Sequence, residues 1–123
     1  MGKYVIKEVK TGPKFDLKAD NHEVIATSEV YSSKDACKNG IESVRKNAPT
    51  CHVEDQTKDG YEELKHPKFE VYNDKAGQFR FRMKASNGEI IIFSEGYTTK
   101  AACMNGIDSV KRNADSEVVD ETN

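Results

Sequence analysis

Apolar and polar positions alternate strictly along residues 79–85. The apolar positions hold Phe79, Phe81, Met83 and Ala85, and the positions between them hold Arg80, Arg82 and Lys84. Because successive side chains of a β-strand point to opposite faces of the sheet, this alternation predicts a strand with one buried and one wet face. The Asn87-Gly88 pair that follows predicts a two-residue hairpin turn with positive φ at both residues. The next predicted strand, 89–96, is apolar on both faces at its centre, which is typical of an interior strand.

A helical period follows this strand. Four apolar side chains recur at the spacing of one helix face, and they are Cys103, Ile107, Val110 and Ala114. This spacing predicts an amphipathic helix with Thr98 or Thr99 as its N-cap. Short strands are predicted over 69–73 and 116–120, so the segment has the order βββαβ.

The same pattern occurs earlier in the chain. Adding 66 to each number from 14 to 48 gives 80 to 114, and nineteen of these 35 aligned positions are identical. The earlier copy of the helix face consists of Cys37, Ile41, Val44 and Ala48. We therefore predict an α+β protein of two tandem βββαβ repeats. Repeat 1 spans about 1–57, a linker spans about 58–66, and repeat 2 spans about 67–123.

Each repeat is too small to bury its apolar surface well, because a domain of about 60 residues buries only about 60% of the surface that its unfolded chain exposes. We therefore expect a single domain over 1–123, in which a pseudo-two-fold axis relates the repeats. The two repeats are expected to share one core. Gly40 and Gly106 lie inside the predicted helices. They are expected to let the helices approach each other or the sheet closely, because Gly inside a helix otherwise costs about 1 kcal/mol.

Composition narrows the class of protein. The net charge of −2 gives no bulk attraction to nucleic acid or to an anionic membrane. No apolar run approaches the roughly 20 residues that span a bilayer, and the first residues lack the apolar stretch of a signal peptide, so we expect a cytoplasmic protein without membrane contact. Three cysteines without close pairing argue against a disulfide framework, and three histidines at no ligand spacing argue against a metal site. No metal or other cofactor is expected.

The sequence contains few candidate catalytic residues. Two equivalent thiols, Cys37 and Cys103, lie near predicted helix N-termini, where the helix dipole lowers a thiol pKa. Both belong to the apolar helix face, and free Cys is among the most buried residue types, so we interpret them as packing residues. Cys51 has no counterpart in repeat 2. We find no nucleophile-base pair, metal cluster or phosphate loop in the sequence, so we expect no enzyme and assign no catalytic residue.

The wet face of the alternating strand is basic, and it is the candidate anion-binding and interaction surface. Its five candidate residues are Arg80, Arg82, Lys84, Lys14 and Lys18. Together with the nearby Tyr72, these cations are suited to binding single-stranded nucleic acid or another polyanion by phosphate contacts and stacking. The alternative is a solvated face with cross-strand ion pairs, whose acidic partners would be Glu23, Glu89 or Glu70.

Several short motifs run through repeat 2, and they are Gly77-Gln78-Phe79-Arg80-Phe81-Arg82, Asn87-Gly88-Glu89, Ser94-Glu95-Gly96-Tyr97, Lys100 and Asn105-Gly106-Ile107. These motifs resemble the YegP-like family of small, mostly bacterial proteins of unknown function. The resemblance covers both repeats, although repeat 1 departs from it at His22 and Val30, where the family has Gly. It implies two βββαβ units in a single antiparallel sheet, with the helices packed on it and the C-terminal strands exchanged. It also implies that this tandem chain is a monomer acting as an intramolecular dimer of repeats.

The resemblance brings no agreed activity, substrate or catalytic residue. We therefore predict a non-catalytic small binding or interaction module, whose unidentified partner is a protein or a polyanion. One alternative is polyanion or single-stranded nucleic-acid binding through the basic sheet face. A further alternative is an enzyme with its site at the interface between the repeats.

Overall fold

The structure is a computed structural model that describes residues 2–122, and these residues form eight strands and two α-helices. The strands are β1 (Lys3–Val9), β2 (Gly12–Lys18), β3 (Val24–Ser28), β4 (Val53–Asp55), β5 (Lys68–Asn73), β6 (Phe79–Lys84), β7 (Ile90–Phe93) and β8 (Glu117–Asp120). The helices are α1 (Lys34–Asn47) and α2 (Lys100–Asn113), and a short 3-10 turn, Ala48–Thr50, follows α1. Both repeats therefore have the predicted βββαβ order.

The eight strands form one sheet in the order β4-β5-β6-β7-β3-β2-β1-β8. Strands β1 to β3 and β5 to β7 are antiparallel, but β8 runs parallel to β1 and β4 runs parallel to β5. The expectation of an antiparallel sheet is therefore wrong, and the sheet is mixed. Parallel neighbours need a long connection, and residues 56–67 supply one between β4 and β5. We call this segment the crossover.

The two repeats meet at the centre of the sheet. Strands β3 and β7 pair there in antiparallel register, with Thr27 opposite Phe93 and Ser28 opposite Ile92. We call this boundary the seam. Because the sheet continues across the seam, one face of it extends over both repeats.

Both helices contribute to one hydrophobic core that contains residues of both repeats. The predicted apolar helix faces are buried, including Cys37 and Ile41 of α1 and Cys103 and Ile107 of α2. Helix α1 contacts β7, and α2 contacts β2 and β3, so each helix packs against strands of the other repeat. Within the described residues, neither helix is long and apolar enough to span a membrane.

Side-chain caps fix where the helices begin. Ser33 Oγ accepts a hydrogen bond from the Ala36 N–H, and Thr99 Oγ1 accepts one from the Ala102 N–H. Such caps satisfy backbone donors that have no partner inside the helix. The sequence predicts the cap type but not which of two adjacent residues supplies it.

The hairpin turns differ from the predicted two-residue type. In the described residues of the repeat 2 turn, positive φ is confined to Gly88, at 84°. The Gly88 N–H donates to Ala85 O, and the Ala85 N–H donates to Glu89 O. The loop therefore has three residues, with the left-handed residue last, which is another common hairpin form. Repeat 1 forms the same loop with His22 at a φ of 68°.

Candidate functional site

The five candidate cations lie on the sheet face opposite the helices, which we call the helix-free face. They alternate along β2 and β6 with buried apolar side chains that pack in the core, which are Phe15, Leu17, Phe81 and Met83. Strands β3 and β7 lie between β2 and β6. Since neighbouring strands are about 4.8 Å apart, the two rows of cations are about 14 Å apart. The structure thus places the candidates on one face but in two rows.

Two of the candidates form the cross-strand ion pairs of the alternative interpretation. Arg82 lies directly opposite Glu70 on β5, and its Nε is 2.6 Å from Glu70 Oε1. Lys84 Nζ is 3.4 Å from the same oxygen. The Arg82 guanidinium also lies over the ring of Tyr72, at 4.3 Å from the centroid. Arg82 and Lys84 are therefore engaged by residues of the sheet itself.

Burial alone would raise the pKa of Glu70, but hydrogen bonds from Arg82 and Lys68 outweigh it and lower that pKa. Glu70 is almost fully buried, and Lys68 Nζ is 3.2 Å from its second oxygen. One carboxylate thus faces three cations. The group stays ionised at neutral pH, and it fixes the positions of Arg82 and Lys84.

Arg80 is held at one end of β6. Its Nε is 2.7 Å from Asp74 Oδ2, and its Nη1 donates to Ser94 O at 3.3 Å. Asp74 also accepts hydrogen bonds from the N–H groups of Ala76 and Gln78 in the turn before β6. The guanidinium is therefore oriented by a turn and by the backbone of Ser94.

The cations of repeat 1 surround a different carboxylate. Asp16 is buried, with Lys7 Nζ at 2.7 Å and Lys14 Nζ at 3.7 Å, and Thr27 Oγ1 donates to it at 2.6 Å. Burial would raise the pKa of Asp16, but the hydrogen bonds from Lys7 and Thr27 lower it. Lys18 forms no ion pair with any residue of the described range 2–122.

A cleft of about 250 Å³ lies over the seam, and we call it the seam cleft. Lys14 and Arg80 both line it. Each repeat contributes one cation and one carboxylate to it. The charged lining residues are Lys14, Asp16, Arg80 and Glu95. The floor between them includes Thr27 and the half-buried ring of Phe93. A concave, charged site therefore lies between the repeats.

Sequence reasoning missed Phe93 and Thr27 as residues of this face. The strand around Phe93 is apolar on both faces at its centre, so the pattern does not show which side chains face the core. The register shows the difference, because Phe93 lies opposite Arg82 while Ile92 lies opposite Met83. Residues that lie directly opposite each other on paired strands share a face, so the pairing across the hairpin, and not alternation along the chain, places Phe93 on the basic face.

The crossover covers a buried polar cluster next to these rows. Glu54 of β4 is almost fully buried, and its carboxylate accepts hydrogen bonds from Lys68 Nζ, the Leu64 N–H and Gln56 Nε2, each at 2.6 Å. Burial alone would raise the pKa of Glu54, but these hydrogen bonds lower it to about 2. A charge with three hydrogen bonds is stable inside a protein, whereas a lone buried charge is costly.

The cysteines pack as the helical pattern predicts. Cys37 and Cys103 are fully buried in the core, and Cys51 is nearly so. Burial raises the pKa of both Cys37 and Cys103 to about 11. Their thiols are therefore protonated at neutral pH and shielded from solvent. In the described part of the chain, no three His, Cys, Asp or Glu side chains form a group that could hold a metal ion.

Comparison with known proteins finds the same family in each of the two repeats. The family model "Domain of unknown function (DUF1508)" matches twice, at residues 10–55 and 74–121. The UPF0339 protein YegP of Yersinia pestis is 40% identical over 120 residues, which cover 97% of this chain and 94% of that protein. The UPF0339 protein Atu5359 of Agrobacterium fabrum is 59% identical over 56 residues, 45% of this chain and 90% of that relative.

A solved structure has the same fold. The solution NMR structure of yegP from E. coli, described as a protein of unknown function, superposes with a TM-score of 0.81 at 34% identity. The match covers 98% of this chain and 93% of that one. The resemblance to YegP-like proteins is thus confirmed over both repeats, and the chain belongs to the DUF1508 family, with two copies of the domain in tandem.

Proposed function

We propose that this chain is a non-catalytic binding module that holds a short stretch of single-stranded nucleic acid across the seam cleft. One observation carries the proposal. Lys14 of repeat 1 and Arg80 of repeat 2 line the same cleft, on either side of the half-buried Phe93 ring. Cations that bracket an aromatic ring are the combination that single-stranded nucleic-acid sites use.

Each repeat presents one cation to an anionic ligand in the cleft. Asp16 is shared by Lys7 and Lys14, so a single carboxylate faces two ammonium groups. Lys14 is the more distant of the two, at 3.7 Å, which is beyond hydrogen-bond distance, so we expect its ammonium to contact a phosphate. Arg80 keeps N–H donors beyond those used by Asp74 and Ser94. Backbone phosphates on both sides of the ring complete these contacts.

The titratable groups near the cleft support binding rather than catalysis. The pKa of Asp16 is lowered, so at neutral pH it is not a proton donor. Its oxygens are already engaged by Lys7 and Thr27. The buried, protonated thiols of Cys37 and Cys103 are not poised as nucleophiles.

Fluorescence anisotropy with a labelled single-stranded oligonucleotide of about 12 nucleotides tests the proposal. Two phosphate contacts predict a slope of about −1.4 in the log–log salt dependence, so affinity falls about sevenfold between about 50 and about 200 mM salt. Lys14→Ala and Arg80→Ala should each reduce that slope by about 0.7. Phe93→Leu should weaken binding at least about fivefold, because stacking of a base on an aromatic ring contributes about 1–3 kcal/mol.

The matched control is Lys46→Ala, which removes an exposed cation from α1. It should leave both affinity and salt slope unchanged. An absence of binding at about 50 mM salt would refute the proposal, because electrostatic contacts are strongest there. So would equal losses in Lys46→Ala and Lys14→Ala, since attraction would then be spread over the whole surface.

We further infer that a pseudo-two-fold axis at the seam relates the repeats, and that they exchange their last strands. The pairings of β4 with β5 and of β8 with β1 support this. Equivalent ion pairs support it as well. Lys34 Nζ is 3.1 Å from Asp120 Oδ2, and Lys100 Nζ is 3.0 Å from Asp55 Oδ2. Each pair joins the helix of one repeat to the last strand of the other.

A second set of equivalent contacts follows the same pattern. Arg45 Nη2 donates to Ser116 O at 2.6 Å, and Lys111 Nζ donates to Cys51 O at 2.8 Å. These contacts support a monomer that acts as an intramolecular dimer of repeats. The three cysteines are free and buried. Free thiols are typical of a reducing compartment, which supports the proposed cytoplasmic location.

A further inference from the structure

The last strand of the sheet offers a free edge. Strand β8 lies at the end of the strand order and pairs only with β1 among the described strands. The Glu121 N–H donates to Ile6 O, so the N–H groups of alternate residues, such as Val119, also point to β1. The backbone groups of Val118 and Asp120 therefore point outward, where they are available to another strand.

An apolar groove lies beside this edge. It has a volume of about 290 Å³ and is lined by Lys38, Ile41, Glu42, Val118 and Asp120. Ile41 is buried at its base, whereas the Val118 side chain is 39% exposed. The groove is therefore bounded by α1 on one side and by a strand with free hydrogen-bonding groups on the other.

The equivalent position in the other half of the sheet is filled. Met104 of α2 corresponds to Lys38 and Val53 of β4 corresponds to Val118. Met104 and Val53 both pack against the core, whereas Lys38 is exposed. A lysine keeps its ammonium in water, and the exposed Lys38 lines the groove instead of packing against the core as Met104 does. The groove beside β8 therefore follows from one difference between the two helices.

The charges around β8 indicate which kind of strand would pair with its free edge. Four carboxylates lie between residues 115 and 121, and they belong to Asp115, Glu117, Asp120 and Glu121. A second copy that paired through its own β8 would set these acidic side chains against each other, which is destabilising. A basic strand would instead place opposite charges across the pair.

We propose that β8 and the groove beside α1 bind an extended peptide segment as an added strand. In this segment an apolar residue enters the groove next to Val118, and Lys or Arg residues flank it on the other face of the strand to face Glu117 and Glu121. Main-chain hydrogen bonds to Val118 and Asp120 provide the register, and the groove and the carboxylates provide specificity. This site is separate from the seam cleft and does not depend on the proposed function.

The probe is a fluorescein-labelled peptide of alternating Arg and Val residues, and its binding to the full chain is followed by anisotropy. Val118→Glu should weaken binding more than tenfold, because it removes the apolar contact. Attraction by charge alone predicts the opposite, since the variant is more acidic. Val30→Glu is the matched control, because Val30 is 41% exposed and lies outside the groove. It should bind the peptide as the unsubstituted chain does.

A second variant closes the groove without changing the strand. Lys38→Met copies the residue that repeat 2 has at this position, and it should also weaken binding more than tenfold. Lys46→Met makes the same change elsewhere on α1 and should not. The proposal is overturned if Val118→Glu or Lys38→Met binds the peptide as tightly as the unsubstituted chain. It is equally overturned if an alternating Glu and Val peptide binds as well, or if size-exclusion chromatography shows a dimer that Val118→Glu dissociates.

Discussion

Single glycines set the distance between each helix and an aromatic ring. A methyl group built at Gly106 would lie 2.5 Å from Tyr97 Oη and 2.9 Å from Phe81 Cε2. At Gly40 the corresponding neighbours are Tyr31 and Phe15. In both repeats the tyrosine ring stacks on the phenylalanine ring. The helix glycines were expected to let the helices approach each other or the sheet, and the structure shows that the nearest neighbour of each is a tyrosine ring, with a phenylalanine ring of the sheet next to it.

We predict that Gly106→Ala destabilises the protein by about 1–2 kcal/mol. Overpacking a filled core costs about 1–3 kcal/mol, and the better helix propensity of Ala returns up to about 1 kcal/mol. Urea unfolding measures the difference. Asn105→Ala, at the exposed neighbouring position, should be neutral or slightly stabilising, and equal gains in both variants would contradict the packing argument.

A buried glutamate fixes the crossover to the sheet. Since the folded-state pKa of Glu54 is lowered to about 2, its ionised form stabilises the fold above the ordinary carboxylate pKa. That contribution is lost as the pH falls from about 5 towards about 2. We predict that Glu54→Gln lowers the free energy of unfolding at pH 7 by about 3 kcal/mol, because the buried Lys68 then loses the nearer of its two ionised partners.

Urea unfolding at several pH values between about 7 and about 3 checks this prediction. The gap between Glu54→Gln and the unsubstituted chain should narrow as the pH falls. Glu62→Gln makes the same change at an exposed crossover position and should unfold as the unsubstituted chain does. A gap that stays constant with pH would show that the charge of Glu54 is not what matters.

At the scale of elements, the last strand of the chain supports the first. Val119 lies opposite Val5, more than a hundred residues earlier in the sequence. We predict that Val119→Pro lowers hydrogen-exchange protection of the β1 amides about fivefold, because it removes one ladder hydrogen bond that contributes about 1 kcal/mol.

Hydrogen exchange followed by NMR gives the protection of each amide. Val118→Pro is the control, because the N–H of that residue points outward and the ladder to β1 keeps its donors. If Val119→Pro exposed β5 instead of β1, the last strand would belong to its own repeat and the inferred exchange would be wrong.

The elements themselves could be predicted from residue spacing, but their partners could not. Period two in 79–85 and the recurring apolar face of 103–114 match β6 and α2. The parallel pairings are invisible in such patterns, because the spacing of apolar residues along β8 is the same whichever strand lies beside it. The hairpin loops were misjudged for a local reason, since a single left-handed residue at Gly88 is compatible with more than one loop length.

At the scale of the whole molecule, the two halves of the helix-free face differ more than the repeats suggest. The crossover covers the half that contains Glu54 and Glu70, and the carboxylates there are buried with Lys68. The equivalent residues of the other half are Val119, Val5 and Lys3. The basic residues were found from the sequence, but their ion pairs and the seam cleft depend on which strands become neighbours. The topology of the whole sheet decides which strands are neighbours, and the sequence of one repeat does not reveal it.

The parallel pairing of β1 and β8 has a mechanical consequence. Suppose the chain is stretched by force applied at Lys3 and at Asp120. The two strands run in the same direction, so the force slides one past the other, and every hydrogen bond between them bears the load at the same moment. Antiparallel strands pulled from their open end would instead unzip one bond at a time. The hydrogen bonds between β1 and β8 must therefore break together before either repeat extends and the shared core is exposed.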